Sequence, residues 1–387
     1  MLLITKNFPI VTFSIRVSWK KQIIELKDEI IKLQKELNEK NLIIEKDKGI
    51  IKDLQDKLKI QNNNQTSNLN KTNITNTPIT PNKSFNILEK EVIFKIDDLG
   101  AQYNTIYILQ DGRIAAGGNS NSIIIYNKES FKSELTIKEH SSYIMYLTQL
   151  RNGNFVSLGN DEYINIYNLL DNYKYLVLQK IKAHSARIHK LREFENERFM
   201  TCSDDCSIKF FFKNLNEYKE DYEFKDDIYI VDILRTREGE IVYSGYNGNN
   251  EFFIRFYDLK SRKKIESTKV TTFYNGLSDF LCMISKVYLL VGATNSILIF
   301  DINQHRKIRE VKSENSNCIT SFLKLNDTTL LSVDCNGQIK QWIINEDNLI
   351  LENVKEKAHK NQIRMIRKNK EGLIITCSDD CSIKVWN

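Results

Sequence analysis

A short phrase recurs seven times between residue 114 and residue 387, and its spacing constrains the fold more than any other feature of the chain. Its clearest form is Ser378-x-Asp380-x-x-Ile383-x-x-Trp386-Asn387. The aromatic that closes each phrase falls at Tyr126, Tyr167, Phe211, Tyr257, Phe300, Trp342 and Trp386. The gaps are 41, 44, 46, 43, 42 and 44 residues. A period in this range means one supersecondary unit copied in tandem, because each copy buries its faces only against its neighbours.

Within each unit a small or apolar run, such as Leu373 to Thr376, leads into a polar turn and then into a run that ends on the aromatic. Short β-prone runs separated by turn residues read as strands, and helical periodicity is absent from this region. Upstream lies a run with a pair such as Ile106 and Leu109, Ile144 and Leu147, Ile188 and Leu191, or Ile363 and Ile366. A further charged, variable run suits an outer strand. Four strands per unit, seven times, predict an all-β, seven-bladed propeller over residues 88–387.

The residues within the repeats resemble the WD40 family. Thr-Cys-Ser-Asp-Asp-Cys-Ser-Ile-Lys occurs at Thr201 to Lys209 and again at Thr376 to Lys384, each after a Lys-Ala-His ending at His184 or His359. The resemblance implies a buried His, Ser/Thr, Asp and Trp set holding a blade together. By position that set is His359, Ser378, Asp380 and Trp386. In repeat three it is His184, Ser203 and Asp205, with Phe211 in place of Trp. Repeat two keeps His140 and Asp161, with Gly159 and Tyr167 at the other two positions. The other repeats lack the His–Asp pair and are expected to rest mainly on apolar packing. The Trp-Asp dipeptide itself is absent, and Asn387, Asn127, Asn168, Asp258 and Asp301 stand where its Asp would be.

Repeat seven has no outer strand after Trp386, while Glu91 to Ile96 has no hairpin partner near repeat one. The two are expected to pair and close the ring, covering strand edges that would otherwise invite aggregation.

Charge separates the chain into two regions. The net charge of +6 lies within residues 1–86, which hold 15 Lys/Arg and 9 Asp/Glu, and the remaining residues hold 41 of each sign. A neutral propeller is poor evidence for nucleic-acid binding, where phosphate contacts demand a basic face. The first 17 residues are interrupted by Lys6, Pro9 and Arg16, so a poorly ordered tail is expected rather than an export signal or a membrane span. Residues 18–61 carry a heptad pattern: Ile23, Ile30, Leu37, Ile44, Ile51 and Leu58 at position a, with Leu26, Leu33 and Leu54 at d. Ile at a with Leu at d predicts a two-stranded coiled coil. Lys40 and Asp47 at other d positions favour a staggered, antiparallel or heteromeric pairing over a blunt parallel homodimer. Residues 62–87, rich in Asn and Thr with Pro78 and Pro81, read as a flexible linker.

The seven Cys, an odd number without an export signal, fit a reducing, cytoplasmic setting. Cys202/Cys206 and Cys377/Cys381 lie within the repeat phrase, and one such pair supplies too few ligands for zinc. No phosphate-cradling Gly loop, no His-Glu-x-x-His and no Gly-x-Ser-x-Gly elbow is present. No enzyme activity, cofactor, metal, small-molecule substrate or nucleic-acid partner is therefore expected. Three of the five His fill the repeat's structural position, His305 lies in a charged turn, and His189 stands apart.

In WD40 propellers partners often sit on the face reached by the loops entering each innermost strand. Transferred here, the residues flanking the first apolar residue of that strand are Thr105 and Tyr107, Tyr143 and Met145, Arg187 and His189, Ile230 and Asp232, Gly276 and Ser278, Cys318 and Thr320, and Gln362 and Arg364. Tyr107, Tyr143, Met145, Arg187, His189, Asp232 and Arg364 are the candidate partner-binding residues. The expected role is a protein-interaction scaffold in a multiprotein complex. Its coil would self-associate or take a partner helix, and its propeller face would dock peptides or domains. Two alternatives are a substrate receptor of a ubiquitin ligase and a G-protein β-like signalling subunit. No F-box and no terminal Trp-Asp-x-Arg is recognisable, and the linker is longer than the G-protein architecture implies.

Overall fold

A computed structural model describes residues 85–97, 102–170, 173–194, 197–237, 239–270, 281–313 and 318–387. The expected tail, the coiled coil and nearly all of the linker lie outside these residues.

Seven four-stranded antiparallel sheets make up the described fold. The innermost strands are Tyr103–Ile108, Ile144–Gln149, Ile188–Glu193, Tyr229–Arg237, Leu281–Met283, Ile319–Lys324 and Ile363–Lys368. Six sheets run in chain order from the innermost strand to the rim. The seventh is completed by Val92–Asp97, which pairs antiparallel with Ser382–Trp386, Val92 opposite Trp386 and Asp97 opposite Ser382. The expected closure is therefore present. Asn387 clamps it: its backbone N–H donates to Glu91 O at 3.2 Å, and its side-chain oxygen accepts from the Glu91 N–H at 3.1 Å.

Sequence burial follows from this geometry. A blade is covered on both faces by its neighbours, so second strands such as Phe155–Gly159 and Ile374–Ser378 are buried at every residue. A rim strand projects beyond its neighbours, and Lys174–Lys182 alternates exposed and half-buried positions along its whole length. That alternation is the period-2 signature of a strand with one face turned to water. The closing aromatics are all buried, from Tyr126 at 4% exposure to Tyr167, Phe300 and Trp342 at 0%. The residue after the aromatic caps the next turn. Asn127 Oδ1 accepts from the Glu129 and Ser130 N–H groups, and Asp301 Oδ1 accepts from those of Asn303 and Gln304. The task needs only an acceptor oxygen, which is why Asn replaces Asp freely there.

Two boundaries differ from expectation. The linker was expected to run to residue 87, yet Ile87 is fully buried and its N–H donates to Gln341 Oε1 at 2.7 Å. Gln341 Nε2 donates in turn to Phe85 O at 2.7 Å, so the propeller's own packing begins by Phe85. In repeat one the register places Tyr103 opposite Gly118, the position held by Ile144 opposite Gly159 in repeat two. The apolar pair of repeat one is thus Tyr103 and Ile106, three residues earlier than the Ile106 and Leu109 spacing suggests.

Candidate docking face

The polar set inside the blades shows how the turns of this face are held. In blade seven His359 Nδ1 lies 3.0 Å from Asp380 Oδ2, and Nε2 lies 2.7 Å from Thr376 Oγ1. Trp386 Nε1 donates to the same Thr376 oxygen at 3.0 Å. One assignment satisfies every group: the indole N–H donates to Thr376, the Thr376 hydroxyl donates to Nε2, and Nδ1–H donates to Asp380. Burial holds His359 below its ordinary value, in keeping with a neutral ring. Burial alone would raise Asp380, but hydrogen bonds from His359 and Ser382 outweigh it and hold the carboxyl below the usual range.

The hydroxyl of this set is Thr376, not the expected Ser378. Ser378 Oγ donates to Asn361 O at 3.2 Å and accepts from the Asp380 N–H at 3.0 Å, so it braces the turn instead. Blade three repeats the substitution. His184 meets Asp205 at 2.9 Å and Thr201 at 2.8 Å, while Ser203 bonds Ala186 O and the Asp205 N–H. In blade two Ser157 takes the role, 2.6 Å from His140 Nε2 and 3.0 Å from the Tyr167 hydroxyl, so the Tyr hydroxyl occupies the place of the Trp N–H of blade seven. Gly159 is required beside them, since a Cβ there would lie 2.1 Å from Asp161 Oδ1 and 2.4 Å from His140 Nδ1. Residues two apart on a strand share a face, so the sequence pattern did not separate Thr376 from Ser378.

Blades lacking the His–Asp pair do not rest on apolar packing alone. In blade four Asp226 lies 2.7 Å from both Arg255 and Lys264 and accepts from the Tyr243 hydroxyl. In blade six Trp342 Nε1 donates to Ser332 Oγ at 2.9 Å, beside the buried Lys340 and Asp334.

On the face itself one hydrogen bond recurs in five blades. The carbonyl just before or at the start of the innermost strand accepts from the first turn residue after strand two: Gln102 from Asn119, Tyr143 from Asn160, Arg187 from Asp204, Cys318 from Cys335 and Gln362 from Asp379. In blade four Tyr229 pairs with Tyr246 at this rung. Side chains meet across it: Asn119 Nδ2 donates to Gln102 Oε1 at 2.9 Å, Arg187 Nε lies 3.5 Å from Asp204 Oδ2, and the Tyr229 and Tyr246 rings are 5.0 Å apart. Arg187 Nε also donates to Asn160 Oδ1 at 3.1 Å, linking blades two and three. Burial pushes the Tyr246 hydroxyl up to about 12, with the Asp204 carboxylate adding to the shift. Tyr143, Asn160, Arg187, Asp204, Tyr246 and Tyr229 thus form a continuous row across blades two to four.

Of the candidate partner-binding residues, Tyr143 is 49% exposed and the Arg187 side chain 38%. Met145, His189 and Asp232 are buried. A β-bulge recurs in six blades, and its extra residue is the second of the strand in five of them, Met145 and His189 included, and Val231 in blade four. His189 Nε2 lies 2.7 Å from Asp204 Oδ1, supporting the row from below. Asp232 accepts from the Leu281 N–H at 3.1 Å and lies 3.5 Å from Arg192, tying three innermost strands together. Arg364 Nε and Nη2 each donate to Asp379 at 2.7 Å. Tyr107 is half-buried against apolar neighbours, and Thr105, Ile230, Cys318, Thr320 and Gln362 are buried. Gly276 and Ser278 lie outside the described residues. The register moves the face position of blade one to Gln102 and that of blade four to Tyr229. Sequence spacing missed both, because blade one has Tyr103 in place of the Ile, and in blade four the Ile of the pattern is Ile230, opposite Gly245, rather than Val231.

Residues 352–387 match the family described as WD domain, G-beta repeat. With the seven four-stranded blades, this supports the WD40 propeller family, whose members are generally non-enzymatic interaction scaffolds. No curated protein matches the chain. No described helix is long and apolar enough to cross a membrane.

Proposed function

We propose that this chain is a non-enzymatic, cytoplasmic interaction scaffold that docks a peptide or domain of a protein partner on the row from Tyr143 to Tyr229. The observation that carries the reading is the combination of exposed tyrosines with a half-exposed arginine held in place from two sides. Tyr and Arg dominate binding hot spots because they bury large area and still donate hydrogen bonds. The bonds from Asn160 and Asp204 to Arg187 preset its geometry and so reduce the ordering cost of docking. Arg364, held on Asp379 with its side chain 14% exposed, braces the blade-seven turn of the same face.

The heptads at Ile23, Leu26, Ile30, Leu33, Leu37, Ile44, Ile51, Leu54 and Leu58 are proposed to assemble copies or to recruit a partner helix, with residues 62–84 as the tether. Copies held on one coil gain avidity for a multivalent target, on the order of 10² or more. Affinity capture with the full chain tests the face. Arg187→Glu and Tyr143→Ala should each remove the proteins captured by the wild type while folding is retained. A captured set unchanged in both variants would overturn the assigned face. Sedimentation of the full chain against an Ile30→Asp, Leu33→Asp double variant tests the coil, with a lower mass expected for the variant.

A further inference from the structure

The sequence draws attention to Cys202/Cys206 and Cys377/Cys381, but neither pair brings its thiols together. Cys202 and Cys377 are buried in second strands, while Cys206 and Cys381 occupy left-handed turn positions at φ 65° and 61°. The Sγ atoms of Cys206 and Cys381 are directed to the carbonyls of Asp204 and Asp379. A different pair, 17 residues apart, is brought to one rung: Cys318 immediately precedes the strand Ile319–Lys324 and Cys335 immediately follows Thr329–Asp334. They occupy the blade-six copy of the recurring rung, where the Cys335 N–H donates to Cys318 O at 3.0 Å. The next rung inward is Ile319 opposite Asp334. The equivalent side chains touch in blades one, three and four, and here the Cys318 thiol, which donates to Ile319 O at 3.6 Å, stands across the rung from Cys335.

We propose that Cys318 and Cys335 form a redox-modification site, a dithiol that hydrogen peroxide converts into a reversible cross-strand disulfide on the docking face of blade six. Directly opposed residues of an antiparallel pair have Cα atoms about 4.5–5.5 Å apart. That range lies inside the roughly 4.4–6.8 Å window a disulfide requires, so the backbone spacing of such a rung suits the bond. The two thiols have different roles. Cys318 is buried, and contact with Cys335 together with burial holds its thiol well above the usual range. Cys335 is half-exposed in the turn, so the oxidant reaches it first.

The Cys335 thiolate attacks one peroxide oxygen, the O–O bond breaks, and the departing hydroxide takes up a proton as water. The Cys318 sulfur then attacks the sulfenic sulfur, and the leaving hydroxide departs as a second water with the Cys318 proton. Each sulfur gives up one electron, and the two peroxide oxygens receive the pair. A small thiol restores both cysteines by exchange. The inference is independent of which partner the face docks.

Peptide mapping of the reduced full chain after brief peroxide treatment tests this. The expected result is a peptide pair joined through Cys318 and Cys335, loss of two of the seven alkylatable thiols, and full recovery with dithiothreitol. Cys318→Ser should lose the link and leave a dimedone-reactive Cys335, while Cys206→Ser and Cys381→Ser should keep the link. Phenylarsine oxide, which bridges two adjacent sulfurs, should protect the same two thiols in the unmodified chain, a readout that needs no variant to fold. Recovery of both thiols after peroxide, a link through another cysteine, or sulfinic acid at Cys335 without a link would each overturn the proposal.

Discussion

Thr376→Val separates the two hydroxyls that compete for the blade-seven set. Valine keeps the shape of threonine, so the change removes one hydroxyl and little volume. Two groups lose their partner at once: the Trp386 indole N–H, at 3.0 Å, and His359 Nε2, at 2.7 Å. Trp386 and His359 are each 2% exposed and Thr376 is 0% exposed, so water does not replace the bonds. Leaving a buried polar group unsatisfied costs about 1–3 kcal/mol, and two such groups sharing one lost oxygen place the total at about 2–4 kcal/mol. Ser378→Ala also removes two bonds, but the Asp380 N–H and Asn361 O lie at a turn where solvent can partly compensate, for about 1 kcal/mol. One kcal/mol corresponds to roughly 2 °C in a domain of this size, so Thr376→Val should lower Tm by about 4–8 °C and Ser378→Ala by about 2 °C. Urea midpoints at constant m, alongside thermal melts, give the comparison. A loss for Ser378→Ala equal to or above that for Thr376→Val would refute the assignment.

Acid should weaken the propeller in a defined order. His189 and His359 have lowered pKa values in the folded state, so the unfolded chain binds protons first and stability begins to fall below about pH 6.5. Asp161, Asp205 and Asp380 are held low, so their contribution, complete above the ordinary carboxylate range, is lost as pH falls further toward their folded values. Urea midpoints should hold between pH 7.5 and about 6.5 and fall from there to pH 4, and a flat profile would count against the neutral-imidazole reading. Gly159→Ala should cost about 1–3 kcal/mol by forcing His140 and Asp161 apart, with the loss read from the urea midpoint. Deleting residues 91–97 uncovers the edge of Ser382–Trp386, and light scattering should report aggregation that the intact chain does not show.

The repeat spacing made the blade number and the closing strand legible, because a blade cannot bury its faces alone and a ring cannot leave an edge open. The closing aromatics and the His184–Asp205 and His359–Asp380 pairs were legible too, since each repeats at a fixed offset. Three features needed the tertiary structure. Strand periodicity does not separate residues two apart, so Thr376 and Thr201 emerged only once their distances to His359 and His184 were known. Exposure at the face depended on the recurring bulge, a register shift that turns Met145 and His189 inward while Tyr143 and Arg187 stay out. Cys318 meets Cys335 because two strands bring distant residues to one rung, whereas the close-spaced cysteines are held apart by the turn between them. Local pattern specifies which strands exist and how they close. Contacts across strands and blades decide which side chain meets which, because those distances are set by register and packing rather than by neighbours in the chain.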